Sequence, residues 1–284
     1  MSGVLHARTV PRGIAVPAAE PRGLLRSYAF RVWAIRIGII AMFVAAWKLT
    51  GALGILNPVF IGSPEGTLVA FFLQFAKPAA LGLDLGYTVA ETLIGFVIGS
   101  ASGMLCAVIL FRAPAARQAV APLIIAANSL PRVALAPLFV LWFGLGISGK
   151  AALVVSLVFF VMLTTTLAGL TQPNKDYEYL ARSLGASRRQ HILYFIVPAA
   201  VPTIVAGLEL SLTYSFLGAV AGEIVGGSYG IGVRLTAFAN AFEIDKFMAL
   251  LLLLVIMSTA TVQLMRHFTA KLTRWHATEQ GHAH

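Results

Sequence analysis

The chain has 284 residues, of which 58% are hydrophobic and only 11% charged, with a mean hydropathy of +0.85. A soluble chain of this length carries about 25% charged residues and cannot hide so much apolar surface, because burial rises slowly with length. Lipid is therefore the solvent for most of it. The formal charge of +10 leaves two readings, a nucleic-acid partner or the basic excess of membrane loops, and position along the chain decides between them. The single cysteine, Cys106, excludes a disulfide within the chain and a four-cysteine metal site; in its apolar run it reads as a packing residue.

Crossing a bilayer takes about 20 mostly apolar residues. Residues 1–31 predict a disordered cytoplasmic tail, rich in Pro, Ala and Arg at its start. The first span covers 32–49, with Arg36 and Lys48 near its ends, where long basic side chains reach the interface. It starts too late for a cleaved signal peptide, and no small-residue cleavage site follows it. Span two, 87–111, carries Gly95, Gly99 and Gly103, two overlapping G-x-x-x-G repeats that let another helix of the same subunit approach closely. Span three, 119–143, contains Pro122, Pro131 and Pro137 and predicts a kinked helix. Span four covers 151–170. Span five covers 192–221 and opens on Pro198 and Pro202; span six covers 247–265, and 276–284 form a C-terminal tail.

With the N-terminus inside, the basic residues sort to one side. Arg8 to Arg36 precede or begin span one, Arg112 and Arg117 follow span two, Lys175, Arg182, Arg188 and Arg189 follow span four, and Arg266, Lys271 and Arg274 end the chain. The opposite side holds few, among them Lys48, Lys77, Lys150, Arg234 and Lys246. This asymmetry places both termini in the cytoplasm and accounts for the net charge without nucleic acid.

The stretch GLGISGK at 144–150 imitates a phosphate-binding loop. Ala151 stands where a Ser or Thr would hold magnesium, no strand precedes it, and the topology puts it outside, so ATP binding there is rejected. No other enzyme constellation occurs. Arg132 lies roughly mid-membrane between two prolines, where an unpaired charge is costly. It predicts a water-filled path or a carboxylate partner, Glu209 or Glu91, and the alternative is an Arg that only ties helices together. The glycine-rich external stretch 222–245, with Glu223 and Arg234, predicts a re-entrant or gate-forming segment, and the alternative is a plain flexible loop.

The sharpest feature is TQPNKDYEYLARSLGASRRQHILY at 171–194. Pro173 ends span four, Asn174 can cap a new helix, and Asp176 and Glu178 suit its first turns. Gly185 supplies a left-handed stop, and Ser187 with Gln190 forms a capping box for the next helix. A short capped helix with Tyr179, Leu180, Ala181 and Leu184 thus projects into the cytoplasm, where a soluble partner would grip it.

This loop resembles the EAA motif of binding-protein-dependent ABC importer permeases. The motif positions read Tyr179-Leu180-Ala181, then Gly185, then Phe195-Ile196-Val197-Pro198 at the family's spacing, although Tyr179 replaces the first Glu. TLIGFVIG (92–99), PRVALAPLFVLWFGLGISGK (131–150), VPAAVPTIVAGL (197–208) and AGEIVGGSYGIG (221–232) extend the resemblance toward permeases for nitrate, taurine and aliphatic sulfonates. It spans 32–275, the transmembrane domain.

The resemblance implies an all-α integral membrane protein of about six transmembrane helices with a cytoplasmic coupling helix, the type I ABC importer permease fold. It also implies residence in a bacterial inner membrane and a complex of two permease copies, two ATPase subunits and a periplasmic or lipid-anchored solute-binding protein. ATP and Mg would sit on the ATPases, and this chain would hold no cofactor. Tyr179, Leu180, Ala181, Arg182, Gly185 and Ala186 would contact the ATPase. Arg132, Glu209 and Tyr214 would line the pathway, and Glu223 and Arg234 the periplasmic gate, for a small anionic solute or, alternatively, an aromatic acid or vitamin precursor. The rival class is a secondary transporter, which would carry inverted repeats and more acidic residues deep in its spans.

Overall fold

The computed structural model describes residues 22–55, 57–76, 78–171, 179–181 and 183–280. They divide into two compact units, 22–55 and 57–280. The first contains helix α1, Arg22–Ala52, which begins before the span marked by hydropathy. Within it the Arg36 guanidinium lies over the Trp33 ring at 5.3 Å, one turn away.

The second unit opens with α2 (Pro58–Ile61) and α3 (Pro64–Gln74). At α3 the Ser63 hydroxyl caps Gly66 N at 3.0 Å, Pro64 sits where its missing N–H costs nothing, and Glu65 occupies the first turn. Eleven residues are too short to cross a bilayer. This helix lies in a stretch where no element was expected. Then come α4 (Pro78–Arg112) and α5 (Pro114–Ser129), followed by a 3-10 turn (Arg132–Leu135) and α6 (Ala136–Phe143). Next is α7 (Ile147–Thr171). After Ser187 come α8 (Arg188–His191), a π turn (Ile192–Ile196) and α9 (Val197–Gly226), with α10 (Ile231–Asn240) and α11 (Ile244–Gln280) completing the chain.

Among the described residues five continuous stretches are long and apolar enough to cross a membrane, and α5 with 132–143 makes a sixth if that pair is one span. The pair is bent by 78°, a break rather than the kink expected. Pro131 falls in the break between the two helices. Pro137 falls in the first turn of α6, where it starts a helix instead of bending one. Span five is likewise modified by proline. Val197 N–H reaches back to Ile192 O, one residue further than in an α-helix, just before Pro198, which has no N–H to donate.

The centre of this unit is α4, α7 and α9. Gly95, Gly99 and Gly103 face α7, as the repeat predicts for packing within one subunit. A Cβ on Gly99 would lie 2.8 Å from Val158 Cβ, and one on Gly103 would lie 2.9 Å from Met162 Cβ, so only glycine permits this approach. Buried Val154, Val158, Met162 and Ala219 fill the seam. A second cluster, Leu81, Ile231, Leu235, Leu250 and Leu253, joins α4, α10 and α11. α3 is tied to α11 through Ser63 N–H, which donates to Asp245 Oδ1 at 2.7 Å.

Candidate functional site

Three places carry chemistry. The first is the turn between α7 and α8. Tyr179, Leu180, Ala181 and Ser183 are helical, and Gly185 closes the helix with φ +64°. Ala186 N–H bonds Ala181 O at 3.0 Å, the six-to-one bond of a Schellman stop, and Leu184 N–H bonds Leu180 O at 3.0 Å. Ser187 and Gln190 form the reciprocal capping box, Ser187 N–H to Gln190 Oε1 at 2.9 Å and Gln190 N–H to Ser187 Oγ at 3.4 Å. Both local expectations hold. Tyr179, Leu180 and Leu184 are 69%, 49% and 69% exposed, whereas Ala181 is 3% exposed. The outer surface is therefore aromatic and aliphatic, and Ala181 is its seat. Asn174, Asp176, Glu178 and Arg182 lie outside the described residues.

The second place is the break at Arg132. Neither carboxylate expected as a partner meets it. Its guanidinium donates to Ala127 O at 2.8 Å and Asn128 Oδ1 at 2.9 Å and lies over the Phe160 ring at 4.2 Å. The end of α5 lacks intrahelical partners for its last carbonyls, and Arg132 supplies a cation to them. Glu209 is instead bonded to Arg266 at 2.9 Å, joining α9 to α11, and Glu91 is taken by Lys150. Tyr214, on α9, is 37% exposed.

The third place gathers Glu223 and Arg234, expected together at a gate, with partners that the sequence did not indicate. Residues 222–245 form the end of α9, a turn, α10, a second turn and the start of α11, so the segment is largely helical rather than a plain flexible loop, and Glu223 and Arg234 both sit in helices. Glu223 is 1% exposed: Thr88 Oγ1 donates to its Oε1 and Gly232 N–H to its Oε2, each at 2.6 Å. Thr88 accepts from Ile231 N–H at 3.0 Å. Asp84 accepts from Gly230 N–H at 3.0 Å and is ion-paired to Arg234. Lys150 Nζ, from the imitation phosphate loop, bonds Glu91 Oε1 at 2.9 Å, and both side chains are almost wholly buried. Tyr87 and Tyr229 stack beside them, centroids 4.9 Å apart. Gly230, at φ +119°, is required because a side chain there would collide with the Glu223 carboxylate. Charged partners thus hold α4, α7, α9 and α10 together at one end. A lysine and two glutamates in an apolar chain were the available signal, but their pairing depends on depth, which composition does not give.

A bundle of apolar helices, one of them broken at a paired arginine, with a capped and exposed apolar turn between two spans, defines a multi-pass transport permease. The chain belongs to the family described as binding-protein-dependent transport system inner membrane component, whose profile matches residues 92–274. It is 33% identical over 191 residues to the formylaminopyrimidine transport permease protein ThiX of Halalkalibacterium halodurans, covering 67% of this chain and 75% of that one. It is 26% identical over 249 residues to the putative aliphatic sulfonates transport permease protein SsuC of Bacillus subtilis, covering 88% and 90%. The fold matches a crystal structure described as an amino acid ABC transporter with histidines, with a TM-score of 0.59 at 16% identity over 70% of this chain and 98% of that one. The protein is a permease subunit of an ABC importer, working with an ATPase and a binding protein.

Proposed function

We propose that this permease moves a small anionic solute inward by alternating access, driven by ATP bound with Mg on separate ATPase subunits, and that it holds no cofactor and no ATPase site of its own. The observation that carries the reading is the exposed Tyr179–Leu180–Leu184 surface, locked at Gly185 and seated on Ala181. An apolar surface outside the membrane needs a partner, and its place in the EAA-like motif makes that partner the ATPase. Tyr179, Leu180, Arg182, Gly185 and Ala186 form the contact or set its shape. The basic turns face the cytoplasm with both termini, and two copies of the chain enclose the pathway.

Arg132 at the break is the cation that favours an anion such as a sulfonate; Tyr214 and Glu209 accompany it along the pathway. Arg234, paired to Asp84, is neutralised, and with Glu223 it frames the outer gate without contacting solute. A second reading, a neutral heteroaromatic precursor of a vitamin, is favoured by the 33% identity to a relative named for formylaminopyrimidine.

The test is uptake into vesicles containing the assembled importer. Gly185→Val is expected to abolish uptake and solute-stimulated ATP hydrolysis while the permease still inserts, because a β-branched residue at positive φ deforms the turn; normal uptake would sink the coupling assignment. Arg132→Gln is expected to lower uptake of an anionic solute about tenfold or more, a loss of about 1.4 kcal/mol. Unchanged anion uptake with inhibition by a neutral pyrimidine would establish the second reading.

A further inference from the structure

The polar residues described so far leave one feature unused. Where α4 turns into α5 and α7 ends, there is a cavity of about 540 Å³, within the range of about 300–1,000 Å³ typical of small-ligand sites. Three arginines line it from three helices: Arg112 from the last turn of α4, Arg117 from the first turn of α5 and Arg188 from α8. His191 completes the basic wall. Its Nε2 is shielded from solvent and has no hydrogen-bond partner in the protein. None of the three arginines forms an ion pair among the described residues, and no described carboxylate lines the cavity. The remainder of the wall is apolar, including Phe111 at the end of α4 and Ile196 in the π turn before α9.

Arginines brought to one cavity from separate elements suit an oxyanion such as a phosphate, because the forked donors of a guanidinium bind two oxygens at once. An unpaired imidazole nitrogen adds a donor when protonated or when its tautomer places the hydrogen there. The apolar wall separates two sources of phosphate. Free phosphate has no use for Phe111 and Ile196, whereas a phospholipid carries a glycerol and acyl stem that would lie along them. The cavity also sits at the ends of membrane-length helices, the depth of lipid headgroups.

We propose that this cavity binds the phosphodiester headgroup of an anionic phospholipid, held by Arg112, Arg117, Arg188 and His191. Its assignment to the inner leaflet rests on the orientation proposed above. A lipid seated there braces the α4–α5 corner against α8, directly behind the turn that meets the ATPase, so the lipid composition of the membrane tunes coupling.

The full-length permease, purified in mild detergent, is tested by native mass spectrometry with added phosphatidylglycerol, phosphatidylethanolamine or inorganic phosphate. Phosphatidylglycerol is expected to be retained selectively. Each arginine removed is expected to weaken retention roughly fivefold, and the triple variant Arg112→Gln/Arg117→Gln/Arg188→Gln about a hundredfold. The matching triple Lys variant should bind more weakly than wild type but much better than the triple Gln variant, which separates loss of charge from misfolding. Arg189→Gln, a basic residue outside the cavity, should change nothing. Wild-type retention by the triple Gln variant would overturn the proposal. So would displacement of the lipid by inorganic phosphate alone, which would mark a free-anion site. Orientation is read independently with a reporter fused after Gln280, so a failure of topology is not confused with a failure of lipid binding.

Discussion

Lys150 is 2% exposed at the start of α7, a position lipid tolerates only because Glu91 bonds it at 2.9 Å. Removing one partner leaves the other buried and uncompensated. Lys150→Met is therefore expected to destabilise the permease by about 3–5 kcal/mol, seen as a lower melting midpoint in detergent-solubilised protein. The double variant Lys150→Met/Glu91→Leu should recover most of that loss; if it is as unstable as the single variant, the pair is not the cause. Residues of this kind were the least legible in the sequence. Lys150 reads as an ordinary loop lysine, and Glu91 as a candidate partner for Arg132, because hydropathy reports how apolar a segment is but not which side chains share a depth. Gly185 and the Ser187–Gln190 pair were fully legible, since a stop and a cap are set by residues adjacent in the chain.

At the scale of elements, the α4–α7 seam depends on glycine. Gly99→Val places a side chain where Val158 Cβ already lies 2.8 Å away. Overpacking of this sort costs about 1–3 kcal/mol, so the variant is expected to insert but to melt earlier and to aggregate sooner in fluorescence-detected size exclusion. An unchanged melt would mean that the two helices do not touch as described. Five of the spans and the glycine face were legible, because long apolar runs and four-residue spacing are local properties. α3 was not. Ser63-Pro64-Glu65 is a clear helix start, but 11 residues fall below the length of a span, so a search for spans passes over it. Proline at 131 announced a disturbance in span three; its 78° extent depends on how Arg132 and Phe160 resettle the freed end of α5.

For the whole molecule, the basic residues predict one orientation. Alkaline phosphatase fused after Ala76, between α3 and α4, is expected to be active, and fused after Gln280 inactive; the reverse pattern would invert the permease and remove the Tyr179–Leu180–Leu184 turn from reach of an ATPase. An importer must also change shape, and the cluster of buried Glu91, Lys150 and Glu223 with half-buried Asp84 and Arg234 restricts how. Pulling α7 from α4 there would break the buried Lys150–Glu91 pair at several kcal/mol for each ion, a large fraction of the free energy that holds a whole domain folded. A motion needing that separation would stall. Four helices held in this way are expected to travel as one rigid block, which puts the hinges of the transport cycle at the 78° break and the π turn before Pro198.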